Sequence, residues 1–256
     1  MRDLEFHNLL MSHKITLKDG AWLIADAHYA HYNSALYDFL VSLKESDLPP
    51  QLILMGDIFD LLFGYAPNSI EPNLKMVDLL KCIAQRKEVI YLEGNHDFGL
   101  QPIFGNSIKV VTRSEQPLFM GANNKIVALH HGDIMQGIGY EIYTTLIRNR
   151  WIDQVLNSID SFQNGSIIGW LERYNRQKKP CYAIDNFKNK VSQRLDILKQ
   201  KYIFNYWVEG HFHQNAQYVF NENRYCNIPA FACCQRYIVV KLGESGINFI
   251  EKKGSL

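Results

Sequence analysis

The sequence lacks the features of a membrane-spanning or secreted protein. No run of about 18 apolar residues occurs in the 256-residue chain, so a transmembrane helix is not expected. Two of the first five residues are acidic and no apolar segment follows them, which does not fit a secretory signal. We therefore expect a protein that stays in the cytoplasm.

Cysteine is scarce and net charge is nearly absent. The five cysteines are scattered without the spacing of a disulfide framework, which favours a reducing compartment. Cys233 and Cys234 are adjacent, but no His or Cys lies at ligand spacing from them, so we predict small buried residues there. The formal net charge of +1 provides no overall field that would attract nucleic acid, and no nucleic-acid partner is expected.

Five short apolar segments predict strands that are buried on both faces, because each is almost continuous in apolar character. Helical periodicity separates several of them: residues 35–43 form one such pattern, with Ser34 as a candidate N-cap, and residues 74–83 form another. The C-terminal part instead predicts short antiparallel strands at 218–220, 224–227, 236–241 and 246–250. The five apolar segments are 21–25, 51–55, 88–92, 125–129 and 206–209.

Residues 134–201 differ from the rest of the chain. Their pattern is helical, and one face carries an apolar stripe from Tyr140 to Ile159. Between Glu141 and Lys201 there are 11 Lys and Arg against 6 Asp and Glu, a net charge of +5. The segment interrupts the series of strand units, so we predict one domain, 1–256, with a basic helical insertion at 134–201.

A polar motif follows each of the five predicted strands. Carboxyl ends of strands in open α/β sheets meet at one edge, where sites form, so we expect these side chains to lie together. In Asp26-x-His28 and His211-x-His213, residues i and i+2 of an extended segment point the same way. Asp and Asn oxygens mixed with imidazoles suit Mn, Fe, Zn or Mg. The predicted metal ligands, more than one tetrahedral ion needs, are Asp26, His28, Asp57, Asn95, His131, His211 and His213.

Each motif alone has a plainer interpretation. A single Gly-Asp-x-x-Asp is often a strand-end turn with a helix cap, and a single Gly-x-His-x-His fits an exposed loop. His130, beside His131, is better interpreted as a packed residue than as a ligand. The occurrence of all five motifs in order, each at a strand end, favours a common site holding two metal ions.

The motif order resembles that of the calcineurin-like metallophosphoesterases, and the similarity extends over residues 21–240. The resemblance implies an α/β-β/α sandwich of two mixed sheets flanked by helices, with the insertion as a helical cap. It implies that Asp57 bridges the two ions and that His96 lies beside them, stabilising charge or protonating the leaving oxygen. Asp97 is predicted to orient His96 or another histidine. The implied ligands are Asp26, His28, Asp57 and His213 for one ion, and Asp57, Asn95, His131 and His211 for the other.

Within that family the chain is most similar to the UDP-2,3-diacylglucosamine pyrophosphatases of lipid A synthesis. The similarity lies in Gly56–Phe63, Gly94–Phe98, the place of the insertion and the frame around Lys179. It implies hydrolysis to UMP and 2,3-diacylglucosamine 1-phosphate by a hydroxide that two ions, with Mn expected, activate. It also implies a peripheral position on the cytoplasmic face of the inner membrane, with no protein partner. His96 is a departure, because the commonest branch of this group has Arg there.

The insertion also carries a basic cluster at Arg173, Arg176, Lys178 and Lys179. It is either a solvated helix face or a clamp for a diphosphate or anionic lipid headgroups. Two other functions stay open: a metallophosphoesterase with a soluble nucleotide, phosphodiester or phosphoprotein substrate, and an inactive binding scaffold on the same fold. The predicted substrate contacts are Asn95, His96, Arg176, Lys179 and His211.

Overall fold

A computed structural model describes residues 15–134, 139, 166–177, 181–244 and 246–254. The predicted apolar stripe from Tyr140 to Ile159, together with Lys178 and Lys179, lies outside these residues. Within the described ranges, no helix is long and apolar enough to cross a membrane.

The described elements alternate between strands and helices through the first half of the chain. They are β1 (Trp22–Ile24), α1 (Ala35–Ser42), β2 (Gln51–Leu54), β3 (Leu62–Phe63), α2 (Pro67–Ile70), α3 (Leu74–Ala84), β4 (Glu88–Leu92), β5 (Asp97–Phe98), α4 (Gln101–Phe104), β6 (Lys109–Val111), β7 (Leu118–Ala122) and β8 (Lys125–His130). After them come α5 (Ser166–Gln177), α6 (Phe187–Lys201), β9 (Tyr206–Glu209), β10 (Ala216–Phe220), β11 (Asn223–Asn227), α7 (Phe231–Cys234), β12 (Arg236–Gly243) and β13 (Gly246–Lys253).

Two mixed sheets form the framework. The first has the strand order β13-β12-β1-β2-β4-β6, in which β1, β2, β4 and β6 are parallel. The second has the order β10-β11-β9-β8-β7, in which β11, β9 and β8 are parallel. A small parallel pair, β3 with β5, lies apart from both.

Alternation along each strand divides its side chains between two cores. Leu52 and Leu54 of β2 pack in the cluster that contains α1, α3 and α4, whereas Ile53 packs in the cluster between the two sheets. In the same way, Val127 of β8 faces the first sheet, and Ala128 faces α6 on the outer side. Both faces of these strands are therefore buried, which explains their continuous apolar character. The result is the predicted α/β-β/α sandwich.

The five predicted apolar strands are confirmed, and so are the helices at 35–42 and 74–84. Ser34 is the N-cap residue of α1, as predicted, and its carbonyl accepts the Asp38 N–H, but its hydroxyl donates to Asp38 Oδ2 at 2.6 Å and caps no backbone amide. One detail of the C-terminal strands differs. Strand β11, predicted as antiparallel, pairs antiparallel with β10 but parallel with β9.

The cysteine prediction is also wrong for one pair. Cys233 is half-buried and its Sγ is bonded to that of Cys181 in the segment before α6. Cys234 is half-buried as well, and only Cys226 among the remaining described cysteines is buried. Neither member of the Cys233-Cys234 pair is the small core residue that the sequence indicated.

A buried ion pair attaches α6 to the ends of two sheet strands. Arg194 donates to Glu209 Oε2 at 3.1 Å and to the carbonyls of Gly132 and Ile134 at 3.0 and 2.7 Å. Glu209 is fully buried and also accepts bonds from Trp207 and Tyr225. Arg194 therefore fixes the loop after β8 to the last residue of β9.

Replacing Arg194 with alanine is expected to lower the free energy of unfolding by about 3 kcal/mol, because Glu209 keeps a buried charge without its partner. Urea unfolding followed by circular dichroism measures this change. Arg86→Ala is the matched control, since Arg86 pairs with Glu45 at 3.0 Å on the surface and such pairs contribute less than about 1 kcal/mol. Equal losses in the two variants would contradict the structural role of Arg194.

Candidate metal centre

The parallel strands deliver polar side chains to one edge of the sandwich. Strands β1, β2 and β4 of the first sheet and β8 and β9 of the second all end there, and each is followed by one of the five motifs. Backbone bonds hold the loops together: Asp26 N–H donates to the carbonyl of Gly56, and Gly210 N–H donates to that of His131. The structure thus brings together the side chains that the sequence singled out.

One group of possible ligands contains Asp26, His28 and His213, whose donor atoms lie within 4.8 Å of one another. His213 Nε2 lies 3.0 Å from Asp26 Oδ1. The other carboxylate oxygen of Asp26 accepts the backbone N–H of His211 at 2.9 Å. Asp26 is completely buried, so its carboxylate has a fixed orientation.

A second group contains Asp57, His131 and His211, again within 4.8 Å. His131 Nε2 lies 3.5 Å from Asp57 Oδ1 and 3.2 Å from Asn95 Oδ1. The other ring nitrogen of His131 bonds the carbonyl of Met55 at 2.9 Å, so it carries a proton and leaves Nε2 as the ligand atom. Asp57 Oδ1 also accepts the backbone N–H of His96 at 2.8 Å.

The backbone at this edge is not extended. The sequence had predicted extended segments at Asp26-x-His28 and His211-x-His213. Asp26 and His28 have φ of 52° and 46°, and His211 and His213 have φ of 61° and 57°. Asp57 has φ of 52°. Residues other than glycine rarely adopt this left-handed backbone conformation, which costs roughly 1–3 kcal/mol per residue. Five of the seven predicted ligands therefore occupy strained positions, a pattern typical of functional sites.

Gly94 allows the loop after β4 to approach Asp57. A Cβ at Gly94 would lie 2.2 Å from Asp57 Oδ1 and 2.4 Å from Asp57 N, and both distances are too short for a non-bonded contact. The backbone N–H of Gly94 instead donates to Asp97. Any larger residue at Gly94 would displace Asp57 from the centre of the site.

Charges in the centre are set by burial and by neighbouring ligands. Burial and, to a smaller extent, electrostatic repulsion from His96 lower the pKa of His28 to about 4. Burial and, to a smaller extent, electrostatic repulsion from His131 lower the pKa of His211 to about 4. Burial also disfavours charge on His131, but the Asp57 carboxylate outweighs it and raises the pKa of His131 to about 10. His28 and His211 are thus neutral imidazoles, the form that ligates metal, whereas a cation bound at the second group would have to displace the Nε2 proton of His131.

The residues fit a pair of divalent cations. Asp26 Oδ1 is buried, and no described residue donates a hydrogen bond to it, although His213 Nε2 lies 3.0 Å away. A buried carboxylate oxygen without a donor is costly unless a cation lies beside it. The two groups contain carboxylate oxygens and imidazole nitrogens, with the amide oxygen of Asn95 beside the second, and this donor set suits Mn, Fe, Zn or Mg.

Asp97 bonds no histidine among the residues that the structure describes, so the prediction that it orients one is wrong. Its carboxylate is fully buried, and Oδ2 accepts bonds from Ile58 N, Phe59 N and the Tyr91 hydroxyl at 2.6, 3.1 and 2.6 Å. Oδ1 accepts Asp57 N at 3.0 Å and Gly94 N at 2.9 Å. Asp97 therefore shapes the Asp57 loop through its backbone amides.

Asp60, the last residue of the Gly-Asp-x-x-Asp motif, lies beside His96 instead. The backbone carbonyl of Asp60 is 2.7 Å from His96 Nδ1, and its Oδ1 is 3.9 Å away. Tyr32 donates its hydroxyl proton to Asp60 Oδ2 at 2.5 Å. The sequence signal for Asp60 was its place in the motif, whereas nothing in the sequence indicated Tyr32.

A cleft of about 590 Å³ opens beside the centre. Four of the five predicted substrate contacts, Asn95, His96, Arg176 and His211, line it, and Lys179 lies outside the described residues. Arg176 Nη2 is 2.7 Å from His31 Nε2, and its guanidinium stacks over the Tyr32 ring at 4.0 Å. The other residues that line the cleft are His28, Tyr32, Asn33, Asp57, Asp60, Asn175, Tyr182, His213 and Ala232.

His130 is packed, as the sequence indicated. It is fully buried, its Nδ1 accepts the backbone N–H of Gly132 at 2.7 Å, and its ring stacks on Trp207.

Comparisons with known proteins found a family and several similar proteins. Residues 21–215 match the family model of the calcineurin-like phosphoesterases. Two proteins named UDP-2,3-diacylglucosamine hydrolase, from strains of Coxiella burnetii, are 21% and 26% identical over 197 residues, covering 75% of this chain and 80% of theirs. Among solved structures, an archaeal phosphodiesterase aligns with a TM-score of 0.45 and 9% identity over 91% of this chain and 99% of that one.

Proposed function

Because the chain belongs to the calcineurin-like phosphoesterase family, we propose that it hydrolyses the pyrophosphate bond of UDP-2,3-diacylglucosamine. The products are UMP and 2,3-diacylglucosamine 1-phosphate. The proposal depends on one observation: the metal-ligating side chains lie beside a cleft, and Arg176 of α5 is among the residues that line this cleft. The weak similarity to the Coxiella hydrolases supports this substrate.

The chain's own residues supply the following parts of the reaction. Two bound divalent ions, proposed to be Mn²⁺, would activate a water molecule and neutralise charge on the phosphoryl group. Asp57 belongs to the second ligand group, and we propose that its carboxylate also serves the first. His96 holds a proton on Nδ1 by donating it to the carbonyl of Asp60, so Nε2 is the atom left to bond a phosphoryl or leaving oxygen. Arg176 provides a positive charge at the cleft for the diphosphate.

In the reaction, the water molecule loses a proton to solvent and its oxygen bonds to the phosphorus nearest the nucleoside. The bond from that phosphorus to the bridging oxygen breaks, and the bridging oxygen leaves on the lipid phosphate. His96 assists the breaking of this bond, either by protonating the leaving oxygen or by stabilising its negative charge.

Three aromatic side chains support a lipid substrate. Trp170 and Tyr174 are 58% and 52% exposed on α5 and stack on each other, and Tyr182, 62% exposed, lines the cleft. Aromatic rings near basic residues are typical of surfaces that meet a membrane interface. We therefore propose that this face meets the inner-leaflet surface that holds the substrate, with Arg173 and Arg176 nearby.

We expect kcat/KM for UDP-2,3-diacylglucosamine with added Mn²⁺ to exceed that for UDP-N-acetylglucosamine at least about 100-fold. This ratio corresponds to about 2.7 kcal/mol, which the burial of only three or four CH₂ groups supplies at about 0.8 kcal/mol each. The measurement is release of UMP from both compounds under the same conditions, with bis(p-nitrophenyl) phosphate as a generic phosphodiester.

Equal rates on all three compounds would remove the lipid substrate and leave a phosphoesterase of broader specificity. Preference for the soluble UDP-sugar would favour a nucleotide-sugar hydrolase. No turnover of any compound, in a protein that also retains no metal, would favour an inactive scaffold.

A further inference from the structure

One residue of the cap helix α5 differs from its neighbours. Asn175 is only 9% exposed, whereas the flanking Tyr174 and Arg176 are exposed. A polar side chain that is buried on a helix over a cleft needs hydrogen-bond partners. Its Nδ2 lies 3.3 Å from Asp60 Oδ2, 3.4 Å from the Asp60 carbonyl and 3.4 Å from His96 Nδ1.

The proton positions at this contact follow from the acceptors. The Asp60 carbonyl can only accept, so His96 Nδ1, at 2.7 Å, must donate to it. Nδ1 then has no lone pair to receive a proton from Asn175. The amide of Asn175 therefore donates to Asp60, and it shares the carbonyl acceptor with His96.

Asp60 is thus held from two sides. Tyr32 donates to Oδ2 from the loop after β1, and Asn175 donates to the same oxygen and to the carbonyl from α5. Arg176, the next residue of α5, stacks over the Tyr32 ring. The cap helix therefore contacts both the residue that anchors His96 and the side chain that supports that residue.

We propose that Asn175 is a positioning residue, which fixes Asp60 and shields the Asp60–His96 hydrogen bond from water when the cap helix is in place. The Asn175 bonds are long, at the limit of hydrogen-bond geometry, and such bonds tighten when substrate closes a site. Asn175 thereby makes the orientation of His96 depend on the position of the cap. The part of this inference that concerns turnover rests on the proposed function.

The test is a double-mutant cycle of Asn175→Ala and His96→Ala, with kcat and KM measured on diphenyl phosphate, whose phenolate leaves poorly without help from His96. A small displacement of a catalytic group costs up to about 100-fold, and we expect Asn175→Ala to lower kcat roughly 10-fold with KM nearly unchanged. In the His96→Ala background the same change should cost less than about twofold, because Asn175 acts through His96. Gln177→Ala, an exposed position on the same helix, is the control.

A second readout does not depend on turnover. In the Zn²⁺-loaded protein, the His96 Nδ1–H signal in a ¹H–¹⁵N spectrum should exchange with water at least about 10-fold faster in Asn175→Ala than in the wild type or Gln177→Ala. His96→Ala identifies the signal by its loss.

The two readouts separate the possible failures. If neither the phosphodiester nor UDP-2,3-diacylglucosamine is hydrolysed, the proposed function fails and the exchange rate alone decides the role of Asn175. Equal kcat losses in both backgrounds, or a rise in KM alone, would show that Asn175 only holds the cap, and would overturn the proposal. An unchanged exchange rate would overturn it as well.

Discussion

Asp57→Ala is expected to abolish turnover, with a loss of at least about 10³-fold in kcat. Loss of a residue that only supports a metal ligand typically costs 10–100-fold, and Asp57 is itself one of the possible ligands. Its Oδ1 is 3.5 Å from His131 Nε2 and accepts the backbone N–H of His96 at 2.8 Å. Removing the carboxylate takes away the ligand proposed to bridge the two ions and a bond that places the His96 loop.

Metal content separates these two effects. We expect wild-type protein to retain two Mn²⁺ per chain after dialysis and Asp57→Ala to retain one or none, as elemental analysis measures. Asp78→Ala, an exposed aspartate on α3, is the matched control and should leave both activity and metal content unchanged. Substantial residual turnover in Asp57→Ala, with two ions still bound, would contradict the bridging position.

The location of the centre could be predicted because it depends on strand order more than on side-chain detail. Strands buried on both faces are recognisable from apolar runs such as Gln51–Leu54, and the residue after each run lies at the sheet edge. The sequence therefore places Asp57 and His131 near each other although 74 positions separate them. Resemblance to a family added which side chains share an ion.

The local backbone could not be predicted in the same way. Asp and His adopt the left-handed region more often than most non-glycine residues, but only a small minority of them do, so residue type alone does not mark Asp26, His28 and His211. Backbone bonds from neighbouring loops, such as Asp26 N–H to the Gly56 carbonyl, impose them after the fold is formed. The expectation of extended pairs failed because it used local geometry where tertiary contacts decide.

Adjacency in sequence also misled the assignment of roles. Asp97 follows His96 directly, yet its carboxylate turns to the amides of Ile58 and Phe59, and the neighbour of His96 is Asp60. Asn175 looks like an ordinary polar position on a helix surface, and only the docking of α5 over Asp60 buries it. Contacts between segments this far apart need the fold before they are visible.

His96→Ala is expected to lower kcat by about 10²–10⁴-fold, the range for loss of a group that transfers a proton or stabilises charge. The imidazole is fixed by its bond to Asp60, and it lies 4.9 Å, centroid to centroid, from the His28 ring. Resemblance places His96 beside the ions and not on them, so metal content should stay at that of the wild type. The possible ligand atoms of Asp60, His28 and His96 also lie within 4.8 Å of one another, so metal content decides whether His96 binds an ion. Loss of a bound ion in His96→Ala would make His96 a ligand and contradict the role beside the ions.

The dependence on the leaving group distinguishes the two roles of His96. If His96 protonates the leaving oxygen, the loss should be small for a p-nitrophenyl diester, whose leaving group needs no proton, and large for the corresponding phenyl diester. If His96 only stabilises charge on the phosphoryl group, both esters should lose the same factor. The bond from His96 Nδ1–H to the Asp60 carbonyl leaves Nε2 as the atom for either role, so the comparison of the two esters decides between them. Equal losses on both esters would reject proton transfer and leave charge stabilisation as the function of this histidine.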